Sequence, residues 1–189
     1  MMHYLRQADP EWSKVPLGHH NPANTKAPTL GKYGCFVTAL TMAVNHLTGY
    51  MYTPKEIQER ILSKRPDAFF GVQLVLERAA PVFGLVAEEK NRIRTVRGDK
   101  RLPPAARMAL ETGLCILHVD HDGELPLGDP QGDHFILGYL LANGKIECAD
   151  PATGGPVYLD PVTLKGTAKW GKVAKQYAVV STIPIRKAV

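Results

Sequence analysis

The cysteine at position 35 stands where the sequence predicts the start of a helix. Two glycines precede it in GKYGC and can supply the tight turn before that helix. Apolar residues then recur at helical spacing from Phe36 to Leu47, and Gly49 ends the helix predicted over residues 35–49. The first turn of a helix favours an anion such as a thiolate. By itself such a pattern is also typical of a small apolar core cysteine, but the rest of the chain favours Cys35 as a nucleophile.

A nucleophilic cysteine needs a general base within hydrogen-bond reach, and the base needs a third group to orient it. His46 lies on the Cys35 helix but about 16 Å along it, which excludes it as the base. His19 and His20 lie in a loop and stay open as alternatives. His134 is the best placed, because it begins the apolar strand HFILGYLL after a turn-rich segment.

The hairpin after His134 decides whether Asp150 can orient it. In a two-residue loop Asp150 lies opposite Leu137, on the other face of the sheet from His134. In a three-residue loop Asp150 lies opposite Ile136 and is a diagonal neighbour of His134. We predict the three-residue loop, with Gly144 in the left-handed region, because a Cys-His-Asp site requires it. The face shared with His134 carries an apolar strip that is expected to pack on the Cys35 helix: Ile136, Leu140, Ile146 and Cys148.

Composition is typical of a globular protein and predicts a single domain over residues 1–189. The chain has 44% hydrophobic and 22% charged residues. No apolar run approaches the roughly 20 residues of a membrane span. The N-terminus has no apolar stretch before its charged and turn residues, so a signal peptide is not expected. Its three cysteines form no CxxC pair, so neither a disulfide framework nor a zinc site is expected. These features predict synthesis in a reducing, cytoplasmic compartment, and they leave open later release by lysis or association with a virion.

The order of the predicted elements indicates an α+β fold, with helices first and an antiparallel sheet second. Residues 1–30 are expected to be an irregular lead-in that Trp12 anchors in the core. The other predicted helices are one capped by Thr53 with Pro54 at its first position and two over residues 72–80 and 105–112. The predicted strands are 82–88, 114–119, 135–141, 145–149, 157–159 and 177–185.

The net charge of +5 is concentrated in one basic segment, residues 90–101. Such a segment can be a solvated face or can bind an anionic partner. It contains no aromatic residue that could stack on a base, so nucleic-acid binding is not expected. The cations concerned are Lys90, Arg92, Arg94, Arg97, Lys100 and Arg101.

The motifs resemble those of papain-like cysteine peptidases of the bacteriocin leader-peptidase type, especially their stand-alone bacterial and phage relatives. The matching segments, in order, are RQADPEW, TLGKYGCFVTALTMAVNHLTG, ALETGLCILHV, DHFILGYLLANGKIECADPATG and VTLKGTAKW. Phe36 departs from the smaller residue that many relatives carry after the cysteine. The resemblance implies a papain-like fold, with N-terminal helices packed on a C-terminal antiparallel sheet.

The resemblance also implies roles for single residues. Cys35 would be the nucleophile, His134 the general base and acid, and Asp150 the orienting carboxylate. The side chain of Gln7 and the Cys35 backbone N–H would form the oxyanion hole. No cofactor or metal is implied. The implied substrates are a peptide, a protein or the peptide stem of a cell wall. A phage particle or tail component that opens the host wall, in contact with virion proteins, would fit the basic charge.

Two other classes of function compete with the peptidase. The chain could be a catalytically idle domain that serves as a structural part of a larger assembly. It could also bind a metal through the tract HVDHDGELPLGDPQGDH, which offers His118, Asp120, His121, Asp122, Asp133 and His134. The metal is disfavoured, because alternation directs His118 and His121 to opposite faces and the tract lacks the glycine-centred loop of a calcium hand.

Overall fold

A computed structural model describes residues 2–20, 26–87, 92–94, 103–121, 133–141, 143–163 and 165–189. Within these residues the helices are α1 (Leu30–Tyr33), α2 (Cys35–Thr48), α3 (Pro54–Lys64), α4 (Leu76–Ala79) and α5 (Pro104–Thr112). Two 3₁₀ turns, Pro66–Ala68 and Ala80–Phe83, flank α4 and its neighbouring hairpin.

Six of the ten described strands form a closed antiparallel barrel. Four short strands come first: β1 (Phe69–Phe70), β2 (Gln73–Leu74), β3 (Leu85–Ala87) and β4 (Ile93–Arg94). The barrel strands follow: β5 (Leu114–Asp120), β6 (Asp133–Leu140), β7 (Ile146–Asp150), β8 (Gly155–Leu159), β9 (Lys165–Trp170) and β10 (Val173–Lys187). They pair in the order β10-β5-β6-β7-β8-β9, and β9 pairs with β10 to close the ring.

The predicted papain-like α+β fold, with helices packed on a sheet, is wrong, because the sheet closes on itself and the helices are short. The last strand causes the closure. At 15 residues, β10 is long enough to pair with β9 through its first half and with β5 through its second half. A β-bulge between Val179 and Ser181 separates the two halves, and bulges bend a strand and increase its twist. The sequence analysis predicted a shorter last strand and no strand over 165–170.

Two apolar clusters result from the alternation of side chains along the barrel strands. The inner cluster draws residues from all six barrel strands, and α5 adds Ala106 and Leu110 to it. The outer cluster joins the opposite face of the sheet to α2 and α3, with Leu137 and Ala149 among its members. The barrel is therefore packed inside and covered by helices on part of its outer face.

Most of the predicted elements are confirmed. The structure contains the helix that begins at Cys35, the helix capped by Thr53 and the one over 105–112 within about a residue of prediction. Thr53 forms a capping box with Glu56. The helix predicted over 72–80 is wrong, because the β1–β2 hairpin occupies its first part and only α4 remains. Trp12 is buried as expected.

Only a small part of the basic segment lies in the described residues. Arg94 lies in β4, which pairs with β10 at Ser181 and Thr182. The other cations of the segment, except Arg92, lie outside the described residues. In the part of the chain that the structure describes, no helix is both long enough and apolar enough to cross a membrane.

Candidate active site

Cys35 is the first residue of α2 and is half-buried. The first turn of this fully described helix contains no Asp or Glu, so nothing in it opposes a negative charge on the sulfur. A glycine is required just before it, because a Cβ at Gly34 would lie 2.4 Å from the carbonyl oxygen of Leu30. Cys115 and Cys148 are fully buried in the inner cluster. Cys35 is thus the accessible thiol of the chain.

An aromatic stack joins the start of α2 to the start of β6. The ring of Phe36, which follows Cys35, stacks on the ring of Phe135, which follows His134. Their centroids are 4.1 Å apart and their planes differ by 10°. The ring of His118 on β5 also stacks on the Phe135 ring, with centroids 4.8 Å apart. The stack therefore fixes the residues that precede both phenylalanines relative to each other.

His134 and Asp150 form a buried hydrogen-bonded pair, and the predicted hairpin register is confirmed. Leu141 N–H donates to the carbonyl of Lys145 (2.7 Å), and Gly144 has φ +80° in the left-handed region. The β6–β7 register, with Leu137 opposite Ala149, places Asp150 opposite Ile136. His134 Nε2 lies 2.7 Å from Asp150 Oδ1. The exposed fractions of the two residues are 3% and 0%.

His134 also hydrogen-bonds to Cys35. This bond and the one to Asp150 favour the charged imidazolium, whereas burial of the ring opposes it. Burial lowers the pKa of His134, but the hydrogen bonds to Asp150 and Cys35 and the negative charges of both raise it to about 9. Since Nε2 faces Asp150, Nδ1 is the ring nitrogen left for the sulfur. The three side chains therefore stand in sequence as a thiol group, an imidazole that binds its proton more tightly than usual, and a carboxyl group.

Asp150 remains ionised in spite of its burial. Burial raises the pKa of its carboxyl, but the hydrogen bond and charge of His134, the Ala152 N–H and the Tyr177 hydroxyl outweigh this and hold it below its usual range. The Ala152 N–H donates to Oδ1 (2.9 Å), and the Tyr177 hydroxyl donates to Oδ2 (2.9 Å). The carboxylate is thus held at both oxygens.

Tyr177 and Trp170 are residues of this site that the sequence analysis missed. It placed Tyr177 in a strand and Trp170 at the end of the segment VTLKGTAKW, and it gave neither residue a role in the site. Trp170 Nε1 donates to the Tyr177 oxygen (2.7 Å), and its ring meets the His134 ring edge-on at 5.3 Å. Asp150 on β7 and Tyr177 on β10 belong to strands that do not pair. No local sequence pattern predicts a contact between these two residues, because the contact crosses the barrel interior.

Gln7 connects the part of the site around Asp150 to the part around Cys35. Its backbone N–H donates to the carbonyl of Pro151, the residue after Asp150 (2.8 Å). Its side-chain Nε2 donates to the carbonyl of Gly31, one turn before Cys35 (3.2 Å). Its side-chain Oε1 is buried without a hydrogen-bond partner among the described residues. The predicted oxyanion-hole role stays a prediction, since one N–H of Nε2 is left to serve it.

Contacts around Gln7 hold the lead-in against the barrel. The Tyr4 hydroxyl hydrogen-bonds to Glu147 on β7. The Leu5 N–H contacts the sulfur of Met42 on α2 (3.3 Å), and the Trp12 indole donates to the carbonyl of Arg6 (3.0 Å). These anchors explain how a residue so far from Cys35 in sequence reaches the site.

The apolar strip beside His134 packs elsewhere than predicted. Ile136, Ile146 and Cys148 lie in the inner cluster, and Leu140 packs against that cluster. The Cys35 helix instead packs on the outer face, where Phe135 and Leu137 lie. The expected contact is wrong because the closed barrel turns this strip inward.

The other histidines have different neighbours. His19 Nε2 hydrogen-bonds to the carbonyl of Pro66 (2.8 Å), and its ring meets Phe69 edge-on. His46 is exposed on α2. His118 stacks on Phe135, whereas His121 packs beside Trp170 (4.9 Å).

The proposed metal tract is only partly described, since Asp122 lies outside the described residues. Among those that are described, no group of three or more His, Cys, Asp and Glu is arranged to hold a metal ion.

A cavity of about 210 Å³ lies at the opposite end of α2 from Cys35. Its lining includes Val44, Thr48, Tyr50, Tyr52, Arg60 and Phe83. None of the cysteine-site residues lines it, and the Arg60 guanidinium lies over the Tyr52 ring (4.5 Å).

A scan against protein-family models and a search of the curated proteins found no match for this chain.

Proposed function

We propose that the chain is a cysteine hydrolase that cleaves a peptide or isopeptide bond with Cys35, His134 and Asp150. The observation that carries the proposal is the chain of hydrogen bonds from a buried carboxylate through a buried imidazole to a thiol at a helix N-terminus. A nucleophile, a base and an orienting group in this order are what acyl transfer requires. A purely structural domain has no need of a buried carboxylate and imidazole beside an accessible thiol.

In the first half of the reaction, the Cys35 thiolate attacks the carbonyl carbon and forms the C–S bond. The oxyanion that develops would be met by the Cys35 N–H and the Gln7 amide, and one such donor is typically worth about 2.7–4 kcal/mol. His134 then donates its proton to the leaving amine nitrogen as the C–N bond breaks. The products are a free amine and a thioester on Cys35.

In the second half, neutral His134 removes a proton from a water molecule, which attacks the thioester carbon. The C–S bond breaks, and Cys35 leaves as a thiolate beside the imidazolium. The carboxylic acid product is released and the starting charges are restored. Asp150 keeps the imidazole oriented in both halves, since its carboxylate accepts from Nε2 throughout.

The peptide stem of a bacterial cell wall is the substrate that we propose to test first. The resemblance of the sequence motifs to stand-alone bacterial and phage peptidases supports this choice. The net charge of +5 also favours approach to an anionic surface such as a cell wall. Under this proposal the chain acts as a phage or bacterial lytic component and can associate with virion or tail proteins.

Hydrolysis by the wild type and by Cys35→Ala, on peptidoglycan fragments and on a peptide library, tests the proposal. We expect the wild type to cleave an amide bond and Cys35→Ala to lose at least about 10³-fold in kcat/KM, because no nucleophile remains. Product masses locate the cleaved bond, and a trapped thioester on Cys35 would identify the intermediate.

Cys115→Ala is the matched control, since Cys115 is fully buried in the barrel and should leave hydrolysis unchanged. Equal cleavage by Cys35→Ala would contradict the proposal. Absence of cleavage by the wild type, together with slow and unselective labelling of Cys35 by an amide-mimicking electrophile, would instead favour a catalytically idle domain.

A further inference from the structure

A fully buried tyrosine contacts the orienting carboxylate from across the barrel. The Tyr177 hydroxyl donates to Asp150 Oδ2 at 2.9 Å, and its side chain is 0% exposed. It comes from β10, whereas Asp150 ends β7. The contact therefore depends on barrel closure and is independent of the β6–β7 hairpin that brings His134 to Asp150.

Trp170 determines where the Tyr177 hydroxyl proton points. The indole N–H can only donate, so the Tyr177 oxygen must accept from Trp170 Nε1 at 2.7 Å. The hydroxyl proton is then left for Asp150. Trp170 also packs edge-on against His134, so the two residues enclose the His134–Asp150 pair from the barrel side.

We propose that Tyr177 is a positioning residue of the cysteine site: its hydroxyl holds Asp150 Oδ2 so that Oδ1 stays directed at His134, and Trp170 fixes the direction of that hydroxyl. This inference rests on the proposed function, because it assigns Tyr177 to the same Cys35–His134–Asp150 chain. Its test needs no substrate, however, so its failure can be distinguished from a failure of the proposed hydrolysis.

The division of donors between the two carboxylate oxygens supports the assignment. Oδ1 receives His134 Nε2 and the Ala152 N–H, whereas Oδ2 receives only Tyr177 among the described residues. Without the hydroxyl, Oδ2 would be a buried charged oxygen with no donor from this part of the chain. The carboxylate would then gain by rotating away from His134 or by binding a proton.

The titratable groups that act on this cluster come from four elements. Cys35 on α2 and Asp150 on β7 influence His134 on β6. Tyr177 on β10 is influenced by both Asp150 and Cys35. On β7, the charges of Asp150 and Glu147 contribute to raising the pKa of the Cys148 thiol. Its pKa lies well above the usual value because of burial, so Cys148 stays neutral while the cluster titrates.

Tyr177→Phe tests the proposal, because it keeps the ring and removes only the hydroxyl. The readout is the pH dependence of the rate at which iodoacetamide alkylates Cys35, followed by peptide mass spectrometry. We expect the acid limb of this profile to move to higher pH by about one unit. Without the Tyr177 hydroxyl, the negative charge of the Cys35–His134–Asp150 chain is less stabilised, so the chain as a whole binds its next proton more tightly.

Tyr139→Phe is the matched control. The Tyr139 hydroxyl also hydrogen-bonds to a carboxylate, Glu147, but it packs against the outer cluster. Its removal should leave the alkylation profile of Cys35 unchanged. If Tyr177 only filled the barrel interior, Tyr177→Phe would also leave the alkylation profile of Cys35 unchanged. That result would overturn the proposal.

A double-variant comparison shows whether Tyr177 acts through Asp150. In an Asp150→Asn background, Tyr177→Phe should shift the acid limb less than in the wild type, because no carboxylate charge is left to stabilise. Equal shifts in both backgrounds would overturn the proposal. Should Tyr177→Phe fail to fold by circular dichroism, Trp170→Phe takes its place. We then expect a smaller shift in the same direction, and an unchanged profile would count against the role.

Discussion

His134 determines the electrostatics of the site, because its ring lies between two groups that can be negatively charged. Burial alone would favour the neutral imidazole. Asp150 and Cys35 reverse that preference and raise the pKa to about 9. Their combined effect makes the imidazolium the resting form at neutral pH, which is the form that can protonate a leaving amine.

The raised pKa of His134 links its charge to the stability of the fold. Because the folded pKa of about 9 lies above the usual value of 6.5, the contribution is fully present below pH ~6.5 and is lost as the pH rises towards ~9. We expect Asp150→Asn to lower the pKa of His134 by about one unit or more. The free energy of unfolding should then fall less steeply over this pH range than in the wild type.

Nuclear magnetic resonance of the His134 ring nitrogens, together with urea unfolding at several pH values, measures both quantities. Asp160→Asn is a suitable control, since Asp160 is exposed and its carboxylate accepts hydrogen bonds from the Val162 and Thr163 N–H groups of its own turn. A His134 pKa that is equal in Asp150→Asn and in the wild type would contradict the coupling.

At the level of elements, the site depends on how α2 is held against β6. Phe36 follows Cys35 and Phe135 follows His134, and their stacked rings connect the helix start to the strand start. Sequence analysis noted Phe36 as an apolar position of the predicted helix and as a departure from the resembled family. The structure shows its ring packed within the protein, where it aligns the two elements.

We expect Phe36→Leu to lower the free energy of unfolding by about 1 kcal/mol, because the aromatic pair is lost. It should also slow the alkylation of Cys35 by iodoacetamide at pH 7 by about threefold to tenfold, since the sulfur is no longer held against the imidazole. Urea unfolding and timed mass spectrometry measure the two effects.

Phe83→Leu separates loss of stability from loss of alignment. Phe83 packs on the outer cluster beside Tyr52, away from Cys35. This variant should lower stability without changing the alkylation rate. If both variants slowed alkylation equally, the stack would have no specific role in aligning the site.

At the scale of the whole molecule, barrel closure brings the support for Asp150 into place. Gly166 on β9 lies opposite Leu159 on β8 and Tyr177 on β10. A Cβ there would lie 2.6 Å from the backbone carbonyl oxygen of Tyr158. Only a glycine allows β8 and β9 to approach this closely.

We expect Gly166→Ala to lower the free energy of unfolding by about 1–3 kcal/mol, because backbone atoms must move to admit the methyl group. Urea unfolding measures the change. Gly155→Ala on β8 is the control, since a Cβ at Gly155 would have open space around it. Comparable losses in the two variants would show that closure at Gly166 is not tightly packed.

Sequence by itself determined the features that depend on near neighbours. The helix at Cys35, the Thr53 cap and the three-residue loop at Gly144 follow from local spacing and turn chemistry, and the loop fixes the register of His134 and Asp150. Tertiary structure alone decided that the sheet closes. Closure depends on the length of β10, its bulge at Val179–Ser181 and the tight approach at Gly166, none of which alternation of apolar residues reveals. For the same reason, only the folded barrel could place Tyr177 on Asp150 and turn Ile136 inward, away from the helix that sequence analysis had assigned to it.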